Sequence, residues 1–193
     1  MRILKKQGIG IAVALAVMGV GAASASATTL EVAGTAKNQS VTFFATLASG
    51  ATTIIADNAK TTLDTCSASE MQASTEGTFS AASVSGTVTA LAFGSCTHLT
   101  SVLKRGTFSI SWTSGTNGIL SSGGTEVTVF WTTFGMWTIC KTGASTALGT
   151  ITGSGSGKAT ITVNTNLNCG VAGIASWSGT YTVTTPEKLG VVN

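Results

Sequence analysis

The stretch from Ser176 to Thr184, S-W-S-G-T-Y-T-V-T, alternates strictly between two kinds of residue. Trp177, Tyr181 and Val183 fall on one parity together with a glycine, whereas serine and threonine occupy the other. Successive side chains of a β-strand point to opposite faces of the sheet, so this pattern predicts a strand with one dry and one wet side. Because the stretch also follows closely on Cys169, we expect it to be the closing strand of the fold.

Similar alternation returns at short intervals along the rest of the chain. The sequence holds 35 threonines and 24 glycines, which favour strands and turns respectively. Asn117-Gly118 and Phe134-Gly135 are predicted hairpin turns, and only Asp64 to Gln72 offers a plausible turn of helix. Roughly eight to eleven strands of this spacing predict an all-β chain, folded as a single-domain antiparallel β-sandwich or jelly-roll-like fold.

The N-terminal segment, 1–27, has the pattern of a secretory signal peptide. Arg2, Lys5 and Lys6 form a basic start, Ile9 to Gly21 is apolar, and Ala25-Ser26-Ala27 is a small-residue cleavage site. This apolar run is too short for a membrane span, which needs about 20 residues. We therefore predict export of the chain to the extracellular space or the cell surface, with the periplasm as the alternative.

The remainder of the chain, 28–193, is predicted to form the single β-sandwich domain. Subtracting the three basic residues of the signal from ten leaves seven, against seven acidic residues, so the mature chain is neutral. Neither a nucleic acid nor an anionic surface is favoured by such an even balance, because both attract basic proteins.

Four cysteines in an exported chain predict two disulfides, for which three pairings exist. The separation from Cys66 to Cys96 nearly equals that from Cys140 to Cys169, and this match favours those two pairs. A metal site that adds His98 to the cysteines is disfavoured because no C-x-x-C motif is present. We therefore predict neither a metal nor a cofactor.

The residues needed for catalysis are sparse. His98 is the only histidine, so a secreted hydrolase with a Ser–His–acid mechanism would have to use it. Asp57, Asp64, Glu70 and Glu76 are close in sequence and predict a solvated loop, with calcium binding as a weaker alternative. We expect a non-catalytic protein.

An unusual concentration of aromatic residues lies between Val129 and Trp137. The segment carries Phe130, Trp131, Phe134 and Trp137 around the predicted turn. One interpretation is a strand pair buried on both faces. The other is an exposed patch that binds a cell-surface glycan, a protein or a lipid, and these four residues are its candidate binding residues.

Several segments resemble a group of exported, mostly uncharacterised bacterial proteins best represented among soil actinobacteria. The shared segments are A-T-T-L-E-V-x-G (27–34), W-T-S-G-T-N-G (112–118), C-K-T-G (140–143) and W-S-G-T-Y-T-V-T-T-P-E-K-L-G-V (177–191). More loosely, the chain is similar to exported proteins described as activators of alkane oxidation. Neither resemblance implies catalytic residues, and neither includes the aromatic hairpin.

These observations predict a secreted, non-catalytic β-sandwich protein of the cell surface or extracellular space, with a binding or structural role. One alternative is self-association into a surface fibre or matrix, because strands with little charge pair readily at their edges. A secreted hydrolase that uses His98 is the second alternative.

Overall fold

The computed structural model describes residues 27–37, 39–77, 82–153 and 157–193. Within those ranges the chain forms fifteen strands, one short 3-10 helix at Gly170–Ala172 and no α-helix, which confirms the predicted all-β class. The strands are β1 (Thr29–Val32), β2 (Thr35–Ala36), β3 (Thr42–Leu47), β4 (Thr53–Asp57), β5 (Thr62–Thr75), β6 (Val84–Cys96), β7 (Ser101–Lys104), β8 (Thr107–Ser114), β9 (Asn117–Gly123), β10 (Glu126–Trp131), β11 (Met136–Lys141), β12 (Thr146–Thr152), β13 (Thr160–Asn168), β14 (Ile174–Thr185) and β15 (Leu189–Val192). Except for Ala27, the predicted signal peptide lies outside the described residues.

Eight strands form a closed ring of antiparallel pairs. Their order around the ring is β4, β5, β6, β8, β9, β12, β13 and β14, and β14 pairs again with β4. Strand β3 pairs with the same two neighbours as β4, namely β14 and β5, but farther along each of them. A separate sheet contains only β15, β1 and β2. The closed ring therefore differs from the two facing sheets of the predicted sandwich or jelly roll. Apolar residues alternate with threonine in either architecture, so the pattern alone could not separate them.

The inside of the ring holds the hydrophobic core, and β14 contributes its largest side chains. Trp177, Tyr181 and Val183 are buried, while the serine and threonine residues between them are partly exposed, as the alternation predicts. Gly179 lies on the same face. A side chain does not fit at this position, because a β-carbon would lie 2.9 Å from the hydroxyl of Thr53. The glycine thus lets β4 approach β14 closely.

A chain of hydrogen bonds crosses this core. The indole nitrogen of Trp177 donates to the hydroxyl of Thr53 over 2.9 Å, and that hydroxyl donates to the carbonyl of Ser178. The hydroxyl of Ser69 donates to the Ala92 carbonyl and lies 3.1 Å from the phenol oxygen of Tyr181. Because the protons of Ser69 and Thr53 are already used, both hydroxyl oxygens can accept the phenol proton of Tyr181, at 3.1 Å and 3.5 Å respectively. These four side chains are thereby paired, which removes most of the cost of burying their polar atoms.

Both predicted disulfides are present, Cys66–Cys96 and Cys140–Cys169, and the described residues contain no free cysteine. The first joins residues that face each other directly across β5 and β6. Two disulfides indicate an oxidising compartment outside the cytoplasm. None of the described segments forms a helix long and apolar enough to cross a membrane.

Two local expectations are wrong. Asp64 to Gln72, the predicted helical turn and part of the predicted acidic loop, lies within β5, where pairing with β4, β3 and β6 overrides the local propensity. The hairpin predicted at Asn117-Gly118 exists, but its turn is at Gly115 and Thr116, and Asn117 already belongs to β9. Gly115 has a φ of +55°, which explains why the turn is there.

Three strands extend from the ring as a separate unit. Strands β10 and β11 form the hairpin predicted around Phe134-Gly135, and β7 pairs with the outer side of β10. Among the described residues, strand pairing between this unit and the ring is limited to one residue pair of β11 and β13, Lys141 with Asn168. The hairpin is therefore paired with the ring at the end opposite its turn.

Candidate binding surface

The β10–β11 hairpin has one face against the core and one face toward solvent. Phe130 lies directly opposite Trp137, and both side chains point away from the core. On the other face Trp131 is buried, with 4% of its surface exposed. Phe134 lies in the turn, is 58% exposed and stacks on Trp131 at a centroid distance of 6.2 Å. Of the four candidate residues, Phe134 and Trp137 are therefore well exposed, Phe130 is half-buried and Trp131 belongs to the core.

His98 extends the outer face toward β7. Its imidazole stacks on Phe130 with centroids 5.3 Å apart, and Phe130 lies 5.3 Å from Trp137 on the other side. The Nδ1 atom is 3.0 Å from the carbonyl oxygen of Leu63. Since that carbonyl only accepts, Nδ1 donates to it. Three rings thus form a continuous row across the unit.

A buried carboxylate fixes the loop that carries His98. Asp64 is 1% exposed, and one of its oxygens accepts the main-chain N–H of His98 over 2.8 Å. The other accepts the hydroxyl of the buried Thr100. Asp64 therefore holds the backbone of His98 and not its imidazole, unlike the acid of a Ser–His–acid triad. This role is not predictable from the sequence, because Asp64 and His98 are 34 positions apart and no local pattern connects them.

Asp64 also belongs to a cluster whose atoms are close enough together for a metal ion but are already used in other bonds. Among the described residues, one group brings a carboxylate and two sulfurs within 4.8 Å, and it consists of Asp64, Cys66 and Cys96. The two sulfurs are bonded to each other, so neither has a thiolate to offer. The carboxylate is already occupied by two donors. This cluster is therefore a structural anchor.

The exposed hydrophobic residues are concentrated at one end of the molecule. Nine large hydrophobic side chains are exposed in the described part of the chain. Eight belong to the β7–β10–β11 unit or to the segments that flank it: Leu99, Leu103, Phe134, Met136, Trp137, Ile139, Val171 and Ile174. The ninth, Ile119, lies on β9. We call the eight residues, together with His98 and Phe130, the apolar end.

Strand direction explains why three segments meet at the apolar end. Strands β7 and β10 are antiparallel, and Ser101 at the start of β7 pairs with Thr128. The residues that precede β7 therefore lie beside the end of β10 that leads into the hairpin turn. Strands β11 and β13 are also antiparallel, and Lys141 pairs with Asn168. The 3-10 helix after β13 therefore runs beside β11 toward the same turn. Leu99 and Val171, which are 71% and 105% exposed, therefore flank the hairpin on its two sides.

Both disulfides hold these segments. Cys96 precedes His98 by two positions, Cys140 follows Ile139 directly, and Cys169 precedes Val171 by two. The segments that carry the exposed side chains are thus cross-linked to the ring. A surface built in this way loses little conformational entropy when it binds a partner.

Several grooves lie at the surface of the described residues, and two of them bear on a binding role. One, of about 250 Å³, runs between Phe134 and the β4–β5 turn, and Asp57, Asn58 and Ile174 also line it. The other, of about 460 Å³, is lined mainly by short side chains of β5 and β6. Its buried floor residue, Ser69, is bonded within the protein and has no proton left for a ligand. The first groove belongs to the apolar end, which makes that end the best candidate site.

The fold and this surface define a disulfide-linked all-β protein with one exposed aromatic and aliphatic end. Comparison with known proteins finds no matching family model, no matching curated protein and no matching solved structure. Function is therefore inferred from the surface itself.

Proposed function

We propose that this is an exported, non-catalytic binding protein that attaches to a partner at or outside the cell surface through its apolar end. The observation that carries the proposal is the position of eight of the nine exposed large hydrophobic residues at that end. Soluble proteins seldom expose apolar side chains in such a group unless they meet a partner there. The proposed signal peptide, at positions 1–27, would supply export.

The rigidity of the surface supports a binding role. The row of His98, Phe130 and Trp137 rests on the core through β10, whose Val127 and Val129 are buried beneath it. Large side chains in a fixed geometry form most of the favourable contacts of protein binding sites.

Retention on the cell envelope of the producing organism tests the proposal. We expect the protein to co-sediment with isolated envelopes, and Phe134→Ser combined with Trp137→Ser to release most of it. Ile119→Ser is the matched control, because it removes a similarly exposed apolar side chain from the ring. Equal retention of all three proteins would exclude the apolar end as the binding surface.

Self-association into a fibre through strand edges is the second candidate, and one observation favours it. In the described residues, β11 pairs with β13 only at Lys141. The edge of β11 that faces away from β10 therefore has no strand partner from Met136 to Cys140. The other edge is poorly suited to addition of a strand. Strand β7 is short, with a register shift opposite it in β10 and Lys104-Arg105 at its end, all of which deter edge pairing.

A further inference from the structure

We infer that the partner of the apolar end is an anionic lipid surface, with the hairpin turn seated at the boundary between headgroups and acyl chains. This inference rests on the proposed function and assigns its ligand class. It follows from the kind of apolar side chains present, from the charges around them, and from the distance between the apolar and the basic residues.

The exposed side chains suit lipid better than sugar. Leu99, Met136, Val171 and Ile174 are aliphatic or nearly so, and they surround the exposed Phe134 and Trp137. Glycan sites instead place several free hydrogen-bonding groups next to an aromatic ring. Some polar groups beside this row already bond within the protein: the hydroxyls of Ser101 and Thr128 are 2.9 Å apart, and Nδ1 of His98 bonds the carbonyl of Leu63.

The charges around the apolar end complement an anionic surface. The exposed basic residues there are Lys60, Lys104, Arg105 and Lys141. Two acidic residues face the same end. Asp57 accepts the N–H of Thr61, and Glu126 lies across from Lys104 and Lys141. The third acidic residue nearby, Asp64, is buried under the loop. Four basic and two partly exposed acidic residues give a local charge of +2, although the mature chain is neutral. Two copies that met through this end would repel each other.

The spacing between apolar and basic residues matches the layers of a membrane surface. Trp137 and Lys141 are four positions apart on β11, or about 14 Å at the rise of a strand. An apolar element that binds at the interface is buried about 5–10 Å into the headgroup and acyl boundary. With the hairpin turn at that depth, Lys104 and Lys141 lie at the level of the lipid phosphates, where basic residues favour anionic lipids.

Binding to vesicles tests this inference with the complete mature protein. The probes are vesicles of phosphatidylcholine alone and of phosphatidylcholine mixed with phosphatidylglycerol, and binding is followed by co-sedimentation and by the shift of tryptophan emission. We expect binding to the mixed vesicles and little to the neutral ones. Phe134→Ser with Trp137→Ser should weaken binding by at least about tenfold, because each side chain is half-exposed and loses its place in the lipid. Ile119→Ser should leave it unchanged.

The basic residues have their own variants. Lys104→Gln and Lys141→Gln should each weaken binding to the mixed vesicles by roughly fivefold, since one cation near an anionic surface contributes about that factor. Lys158→Gln is the control, because Lys158 precedes β13 and lies at the opposite end of that strand from Asn168. Circular dichroism of each variant confirms that it is folded.

The outcomes separate this inference from the proposed function. Absence of binding to both vesicles, or binding unaffected by the Phe134 and Trp137 substitutions, overturns the lipid assignment. If those substitutions still release the protein from envelopes, the apolar end binds a protein or a glycan, and only the ligand class was wrong. A concentration-dependent dimer that the same substitutions dissociate would identify a second copy as the partner and would also overturn the lipid assignment.

Discussion

The imidazole of His98 stacks on the ring of Phe130, with centroids 5.3 Å apart and 28° between the planes. This contact joins the loop after Cys96 to the β10–β11 hairpin, which follows much later in the chain. Because Phe130 also contacts Trp137, the apolar end is one surface to which separate segments contribute. The position of that loop depends on the buried Asp64, and the first prediction concerns that residue.

Asp64→Ala should lower the free energy of unfolding by about 2–4 kcal/mol. The change leaves the N–H of His98 and the hydroxyl of Thr100 without their shared acceptor, and a buried unpaired donor is costly. Urea denaturation measures the loss. Glu70→Ala, on the exposed face of the same strand, is the control and should change stability by less than about 0.5 kcal/mol. Similar losses for the two variants would contradict the anchoring role of Asp64.

Acrylamide should quench Trp137 far more strongly than Trp131. The first indole is 50% exposed and the second 4%, although both lie on the same hairpin. Trp137→Phe should therefore remove most of the accessible fluorescence, whereas Trp131→Phe should remove shielded emission. The Stern–Volmer slopes of the two variants provide the measurement. A shielded Trp137 would mean that the outer face of the hairpin is covered.

Loss of the Cys140–Cys169 disulfide should destabilise the protein by roughly 3–4 kcal/mol in the chain-entropy model. The double variant Cys140→Ala, Cys169→Ala also frees the 3-10 helix beside β11, so amide exchange of Gly170 and Gly173 should accelerate. Loss of Cys66–Cys96 is the matched comparison because its loop has nearly the same length. Fast exchange at Gly170 and Gly173 in that variant as well would show that the effect is global.

Stability should fall at high pH through the ionisation of Tyr181. Burial raises the pKa of its phenol above the ordinary 10.0, against the smaller opposite effect of its hydrogen bonds to Ser69, Thr53 and Trp177. The unfolded chain therefore loses this proton first. The contribution to stability is complete below the pKa of the unfolded chain and is lost as the pH rises through the folded pKa.

Tyr181→Phe isolates this contribution. Near neutral pH the variant should lose about 1 kcal/mol because the hydrogen bonding of the phenol with Ser69 and Thr53 is lost. Urea unfolding at about pH 8 and about pH 11 should then show a smaller difference between variant and wild type at the higher pH. Tyr181 is the only tyrosine, so tyrosinate absorbance follows its titration directly. A constant difference between the two proteins at both pH values would contradict the raised pKa.

Much of the fold was predictable because it depends on local periodicity. The alternation from Ser176 to Thr184 predicted which side chains of β14 are buried, and the hairpin of β10 and β11 was predicted around Phe134-Gly135. The disulfide pairing followed from two matched separations along the chain. Each of these features depends on neighbours in sequence or on a strand's two faces, which the order of residues encodes directly.

Only the tertiary structure decided how the strands close and which surface is exposed. Closure into a ring depends on the pairing of β14 with both β13 and β4, and the sequence does not specify the partners of a strand. Phe130 and Trp131 are adjacent and similar in hydrophobicity, yet only Trp131 faces the core, because the sheet covers one face of the hairpin and leaves the other free. The anchor of His98 is Asp64, on a strand distant in sequence. Local patterns thus determined the strands, and long-range pairing determined the site.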